Sequence, residues 1–96
     1  MKVFVSDQAD ADLRQIYRYL AERNAAAAES LIREIDRKFE NLSHFPFIGR
    51  ERSTLSAGIR SVVTHPYVVF YTVEPDRIII VRVLHGSRDI DAEFQR

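Results

Sequence analysis

No cysteine occurs in the 96 residues, so neither a disulfide framework nor a thiolate metal site can hold this chain together. A secreted domain of this size would ordinarily need disulfides, and a reducing cytoplasm fits better. Glycine and proline are scarce, with three of each. Gly49, Gly58 and Gly86 stand alone, which excludes a glycine-rich phosphate cradle. Charge of either sign is not in excess: 14 Lys and Arg balance 14 Asp and Glu, so no global field draws the chain towards nucleic acid. No apolar run reaches membrane-spanning length, and Met1-Lys2-Val3-Phe4-Val5 gives way at once to polar Ser6-Asp7-Gln8, unlike a signal peptide. His44, His65 and His85 lie roughly twenty residues apart, without the clustering that a metal site needs. No nucleophile-elbow motif is present. The expectation is a cytoplasmic protein with no metal, no cofactor and no membrane contact.

What is there reads as one domain spanning residues 1–96. Its apolar share of 46% is ordinary for a globular protein and too high for a disordered one. A domain this short has a thin stability margin, and a bound partner can matter to it. Lys2 to Val5 is β-prone. Ser6 or Asp7 can cap a following helix, with Asp7, Asp10 and Asp12 crowding its first turns. Leu13, Ile16, Tyr17 and Leu20 form one apolar stripe at helical spacing. Asn24 breaks that helix and caps a second, in which Leu31, Ile32, Ile35, Phe39 and Leu42 repeat. So short a joint makes the pair an antiparallel hairpin, which ends at Pro46 and Gly49. From Ile59 the pattern turns β-like, in two runs parted near His65-Pro66. Glu74-Pro75-Asp76-Arg77 is a turn, and Ile78 to Leu84 is the longest apolar run, broken only by Arg82. The polar tail from Gly86 to Arg96 carries Ile90 and Phe94, which can pin it to the core. Helical hairpin on sheet gives a two-layer α+β domain of order β-α-α-β-β-β, with a small antiparallel sheet.

Three segments stand out chemically. Gly49-Arg50-Glu51-Arg52 comes after the second helix and reads locally as a helix stop with solvated charge behind it. Arg60 opens a strand, where its stem can cover the sheet edge while its head stays in water. Arg82 interrupts the most apolar strand, and burying it unpaired is prohibitive. It must therefore either pair with a helix acid such as Asp10 or Asp12 or face a surface. His85 and Arg88 lie one strand-end away, and such a cationic group suits an anionic partner.

The chain resembles the ParE branch of the ParE/RelE toxins of bacterial type II toxin–antitoxin systems along nearly its full length. Ala11-Asp12-Leu13-Arg14-Gln15-Ile16-Tyr17-Arg18-Tyr19-Leu20 looks like the family's "D-L-x-x-I-x-x-Y" helix. Leu42-Ser43-His44-Phe45-Pro46-Phe47-Ile48-Gly49-Arg50 matches an "L-x-x-x-P-x-x-G-R" segment. Gly58-Ile59-Arg60, Pro66-Tyr67-Val68-Val69-Phe70-Tyr71 and Arg82-Val83-Leu84-His85-Gly86-Ser87-Arg88-Asp89 complete the series. The resemblance implies a hetero-oligomer with a ParD-like antitoxin, whose arm would dock on the helical hairpin and an exposed sheet edge. It also implies one of two targets: DNA gyrase, bound and trapped on cleaved DNA, or messenger RNA, cut on the ribosome as RelE-type members do. Those ribonucleases usually carry an arginine directly after the tyrosine of the middle strand, where this chain has Val68 after Tyr67. Many carry a tyrosine near the position of Phe94. The balance favours a gyrase inhibitor that is not an enzyme and binds no nucleic acid specifically. Its functional surface would hold Arg50, Arg60, Arg82, His85 and Arg88. The alternative is an endoribonuclease using His85 with Arg60 and Arg82, and a third is a degenerate module that only binds antitoxin.

Overall fold

Ser6 starts the first helix as its side chain accepts a hydrogen bond from the Ala9 amide. Helix α1 (Asp7–Arg23) stops at Asn24, which serves two helices at once. Its amide donates to the Leu20 carbonyl, while its side chain accepts from the Ala27 amide and opens α2 (Ala25–His44). One residue thus makes the hairpin bend and satisfies backbone groups on both sides of it. The structure, a computed structural model, describes residues 1–95; Arg96, the last residue of the polar tail, lies outside the described residues.

The remaining elements are β1 (Lys2–Val5), β2 (Arg50–Glu51), β3 (Ile59–Thr64), β4 (Tyr67–Val73), β5 (Arg77–His85) and a short α3 (Ile90–Phe94). They form a five-stranded sheet in the order β1-β5-β4-β3-β2. The expected layering holds, and α1 and α2 pack on one face of the sheet. The expected sheet needs one correction: β1 lies parallel to β5, with Lys2 opposite Arg77 and Val5 opposite Ile80, while every other pair is antiparallel. The helical hairpin and three strands intervene, the long crossover that a parallel neighbour requires. Strand β2 was not foreseen, since two charged residues carry no alternation to detect; a short charged edge strand also discourages unwanted pairing.

The apolar run of β5 is explained by burial on both faces. Ile78, Ile80 and Val83 join Val69, Tyr71, Ile35 and Leu42 beneath the helices. On the opposite face Ile59, Phe70 and Leu84 are covered by Leu55, Ile90 and Phe94. The tail is therefore pinned as expected, with Phe94 edge-on to Phe70 at 4.9 Å between ring centres. Tyr17 departs from its stripe: Leu13, Ile16 and Leu20 pack on the core, whereas Tyr17 is exposed. No helix among the described residues is long and apolar enough to cross a membrane.

Candidate functional site

Arg82 is aimed by a bulge. Phe70 pairs with Arg82 but Tyr71 pairs with Ile80, so Val81 is an extra residue that bends β5 and redirects the side chains beyond it. The guanidinium reaches α1, where Nε and Nη2 donate to the two carboxylate oxygens of Asp12 at 2.8 and 3.0 Å. Asp12 also accepts from the Val83 amide at 3.0 Å. A third bond runs from Nη1 to Glu93 of α3 at 3.4 Å, and Glu93 in turn lies 3.5 Å from Arg88. Of the two readings open for Arg82, the structure has the ion pair with a helix acid, and the acid is Asp12. Hydrogen bonding to Asp12 holds the guanidinium more firmly protonated than usual, against the desolvation that opposes it, and Glu93 adds to the effect. Four charged groups thereby tie α1, β5 and α3 together.

A groove opens beside this hub. Strand β1 pairs only with Arg77–Ile80, so among the described residues no strand flanks β5 on that side from Val81 onward. The cavity there measures about 490 Å³ and is lined by Ile16, Tyr19, Leu20 and Tyr67, with His85 and Arg88 also bordering it. The His85 ring stands edge-on to Tyr67, 5.4 Å between centres. Its Nδ1 accepts from the Ser87 amide at 3.0 Å, which leaves the proton of the neutral ring on Nε2. Burial raises the Tyr67 phenol above its ordinary value, and the nearby Tyr19 adds to that. This concavity pairs apolar walls with cationic or titratable groups and an open strand edge.

Arg60 belongs to another place. It stands opposite Tyr71 on β4 and Glu51 on β2, whereas His85 stands opposite Tyr67. Those two levels of β4 are four residues apart, about 13 Å. Nη1 of Arg60 donates to the carbonyls of Gly49 at 2.8 Å and Phe47 at 3.2 Å, and Nη2 meets Glu51 at 3.2 Å. The buried Tyr71 hydroxyl works beside it, donating to the Pro46 carbonyl and accepting from the Gly49 amide, each at 2.8 Å. Burial pushes the Tyr71 phenol up, with the Gly49 bond and the Arg60 charge pulling the other way. A Cβ on Gly49 would lie 2.7 Å from the Tyr71 ring and 2.9 Å from the Ser61 carbonyl, so only glycine fits. Arg50 projects from β2 and is exposed.

The five residues expected on the functional surface thus fall into two groups: Arg50 with Arg60, and Arg82 with His85 and Arg88. The trio His85, Arg60 and Arg82 is not brought together. Sequence reasoning missed Glu93 and Tyr71. Glu93 lies in a tail too short for a periodic signal. Tyr71 looks like one more apolar strand residue until its hydroxyl is found against the Gly49 turn.

A model of the ParE toxin family of type II toxin–antitoxin systems, parDE, matches residues 3–90. Toxin ParE3 of Caulobacter vibrioides is 30% identical over 94 residues, covering 97% of this chain and 94% of that one. Toxin RelE3 of the same organism is 32% identical over 85 residues, covering 88% and 92%. A solved structure described as a chromosomal ParDE toxin–antitoxin system from P. aeruginosa superposes with a TM-score of 0.75 over 88% of this chain and 95% of that one, at 22% identity; that likeness speaks for the fold.

Proposed function

The chain belongs to the ParE toxin family of type II toxin–antitoxin systems, and from that membership we propose that it arrests growth by binding DNA gyrase rather than by catalysing a reaction. The observation that carries this reading is the dispersal of its cations. Cutting RNA requires groups that move protons and stabilise phosphorane charge around one phosphate. Here Arg82 is engaged by Asp12 and Glu93, Arg60 lies at another level of the sheet, and Val68 comes directly after Tyr67. A binding inhibitor needs no such convergence.

Its second partner, on this reading, is a ParD-like antitoxin. An antitoxin arm that folds as it docks needs a groove and a strand edge, and the cavity beside β5 offers both. Apolar side chains would enter between Ile16, Leu20 and Tyr67, and carboxylates would meet Arg88 and His85.

The test is a gyrase assay with purified, antitoxin-free protein, scoring supercoiling and cleaved DNA together. Cleaved DNA accumulating at stoichiometric toxin is the expected result. Untouched gyrase alongside cleavage of ribosome-bound messenger RNA would overturn the proposal. In that event, loss of cleavage in His85→Ala with thermal stability intact would identify the histidine as the working group.

A further inference from the structure

After α2 the chain runs through Phe45-Pro46-Phe47-Ile48, and three of these four residues face solvent: Phe45 is 61% exposed, Phe47 65% and Ile48 58%. Such a run normally gains by folding inward, and an exposed one marks a contact surface. This loop is not loose. The Tyr71 hydroxyl holds the Pro46 carbonyl and the Gly49 amide, and Arg60 holds the Phe47 and Gly49 carbonyls. The Ile48 amide returns to the Phe45 carbonyl at 3.2 Å. The guanidinium of Arg60 also sits over the Phe47 ring, 5.1 Å from its centre. Bonds from a buried phenol and an arginine therefore fix the backbone and leave the apolar side chains outside. Fixing a contact element beforehand removes ordering cost from association.

We propose that this knob enters the target of the toxin, inserting Phe47 and Ile48 into an apolar pocket on a folded protein whose rim carries carboxylates. The proposal rests on the gyrase reading only in taking the target to be a folded protein. Two observations select that occupant. Three large apolar side chains stand exposed on a backbone that is already held in place, and a flexible arm can fill a groove but cannot offer a pocket. Its surroundings are basic: Arg50 is exposed, Arg60 keeps 20% of its side chain accessible, and Glu51 lies beside them. An acidic rim complements that edge and speeds encounter. The antitoxin groove lies at the Tyr67 level of β4 and the knob at the Tyr71 level, so the two surfaces are separable by mutation.

The experiment compares wild type, Phe47→Ser/Ile48→Ser and Arg50→Glu, all at exposed positions where folding should tolerate change. Thermal melting, affinity for the antitoxin encoded beside the toxin, cleaved DNA with purified gyrase, and growth arrest are read for each. Melting and antitoxin affinity should stay at wild-type values. Growth arrest and gyrase inhibition should need about tenfold more of the double variant, as expected when a buried anchor is lost, and several-fold more of Arg50→Glu. Undiminished growth arrest by the double variant overturns the proposal. So does an equal loss of antitoxin affinity, which would make the antitoxin the occupant, or a wild-type dimer that the double variant dissolves without losing activity. If wild type leaves gyrase untouched, the gyrase reading fails alone, and growth arrest still decides on the knob.

Discussion

Arg82 and Arg60 both stand on interior strands of one sheet, and both use their guanidinium to fasten a neighbouring segment. They are answered in opposite ways. Arg82 gives its bonds to Asp12 and Glu93, side chains almost as buried as its own, so its charge is consumed inside the fold. Arg60 gives its bonds mainly to backbone carbonyls, and its one acid, Glu51, is largely in solvent. Carbonyls satisfy the donors without cancelling the cation. The first region is a structural lock beside a groove; the second is a brace that keeps its charge facing outward. An arginine's partners, more than its position in the sequence, decide whether it remains available to a ligand.

The contrast is sharpest if the lock is cut. Asp12→Ala leaves Arg82 with only the longer Glu93 contact and the Val83 amide without its acceptor. Removing one partner of a buried pair costs about 3–5 kcal/mol, a large share of what a domain of this size has. A steep fall in the urea midpoint is expected. Replacing both partners, Asp12→Leu with Arg82→Met, should recover part of that loss, because no guanidinium is then stranded and Glu93 keeps Arg88, while the Val83 amide stays unpaired. If the double variant is as unstable as Asp12→Ala, the pair is not the reason for the loss.

Cutting the brace should cost less. Tyr71→Phe keeps the ring in the core but strips the Gly49 amide and the Pro46 carbonyl of a partner, about 1–3 kcal/mol for a group left unsatisfied. Fluorescence-monitored urea unfolding would measure it. Gly49→Ala attacks the same contact from the other side and should destabilise comparably, through overlap with the Tyr71 ring.

These two regions also mark how far the sequence could be read. Ser6, Asn24 and the Glu74–Arg77 turn were legible because caps and turns are local chemistry. Arg82 announced itself because a charge inside an apolar run demands a partner, and an Asp of the first helix was a natural candidate. The bulge at Val81 left a fainter trace: Ile78, Ile80 and Val83 share one face, a spacing of two and then three. The parallel placement of β1, the second covered face and the Tyr71 brace depend on strand order and register, which no short window contains. Arg60 is part of the brace, and Arg50 is exposed on the adjoining strand β2. The exposed Phe45–Ile48 run beside the brace reads in the sequence as the end of a helix and as part of a family segment, and neither reading shows that its side chains face solvent.

Alkaline titration should separate the regions by chemistry. Tyr71 and Tyr67 both have phenols raised above their ordinary value near 10. The folded chain therefore keeps these protons at a pH where the unfolded chain has released them. Stability is fully present below the unfolded value and falls as pH rises towards the folded one. Tyr71→Phe should flatten that decline in urea midpoint above pH 10, whereas Asp12→Ala should leave its slope unchanged.

The smallest effect on folding is expected at Arg88. Its side chain is 48% exposed, and its contact with Glu93 spans 3.5 Å, a geometry worth about 0–1 kcal/mol. Arg88→Ala should therefore barely move the urea midpoint, and Glu93 keeps Arg82 as a partner. What the substitution removes is the outward charge at the groove. If the groove takes carboxylates of an antitoxin arm, association should slow several-fold at low salt, and the gap from wild type should close as salt screens the rim. Stopped-flow association across a salt series reads this directly. A variant that binds as fast as wild type at every salt concentration would place Arg88 with Arg82, as part of the lock, and leave the groove to act through its apolar walls alone.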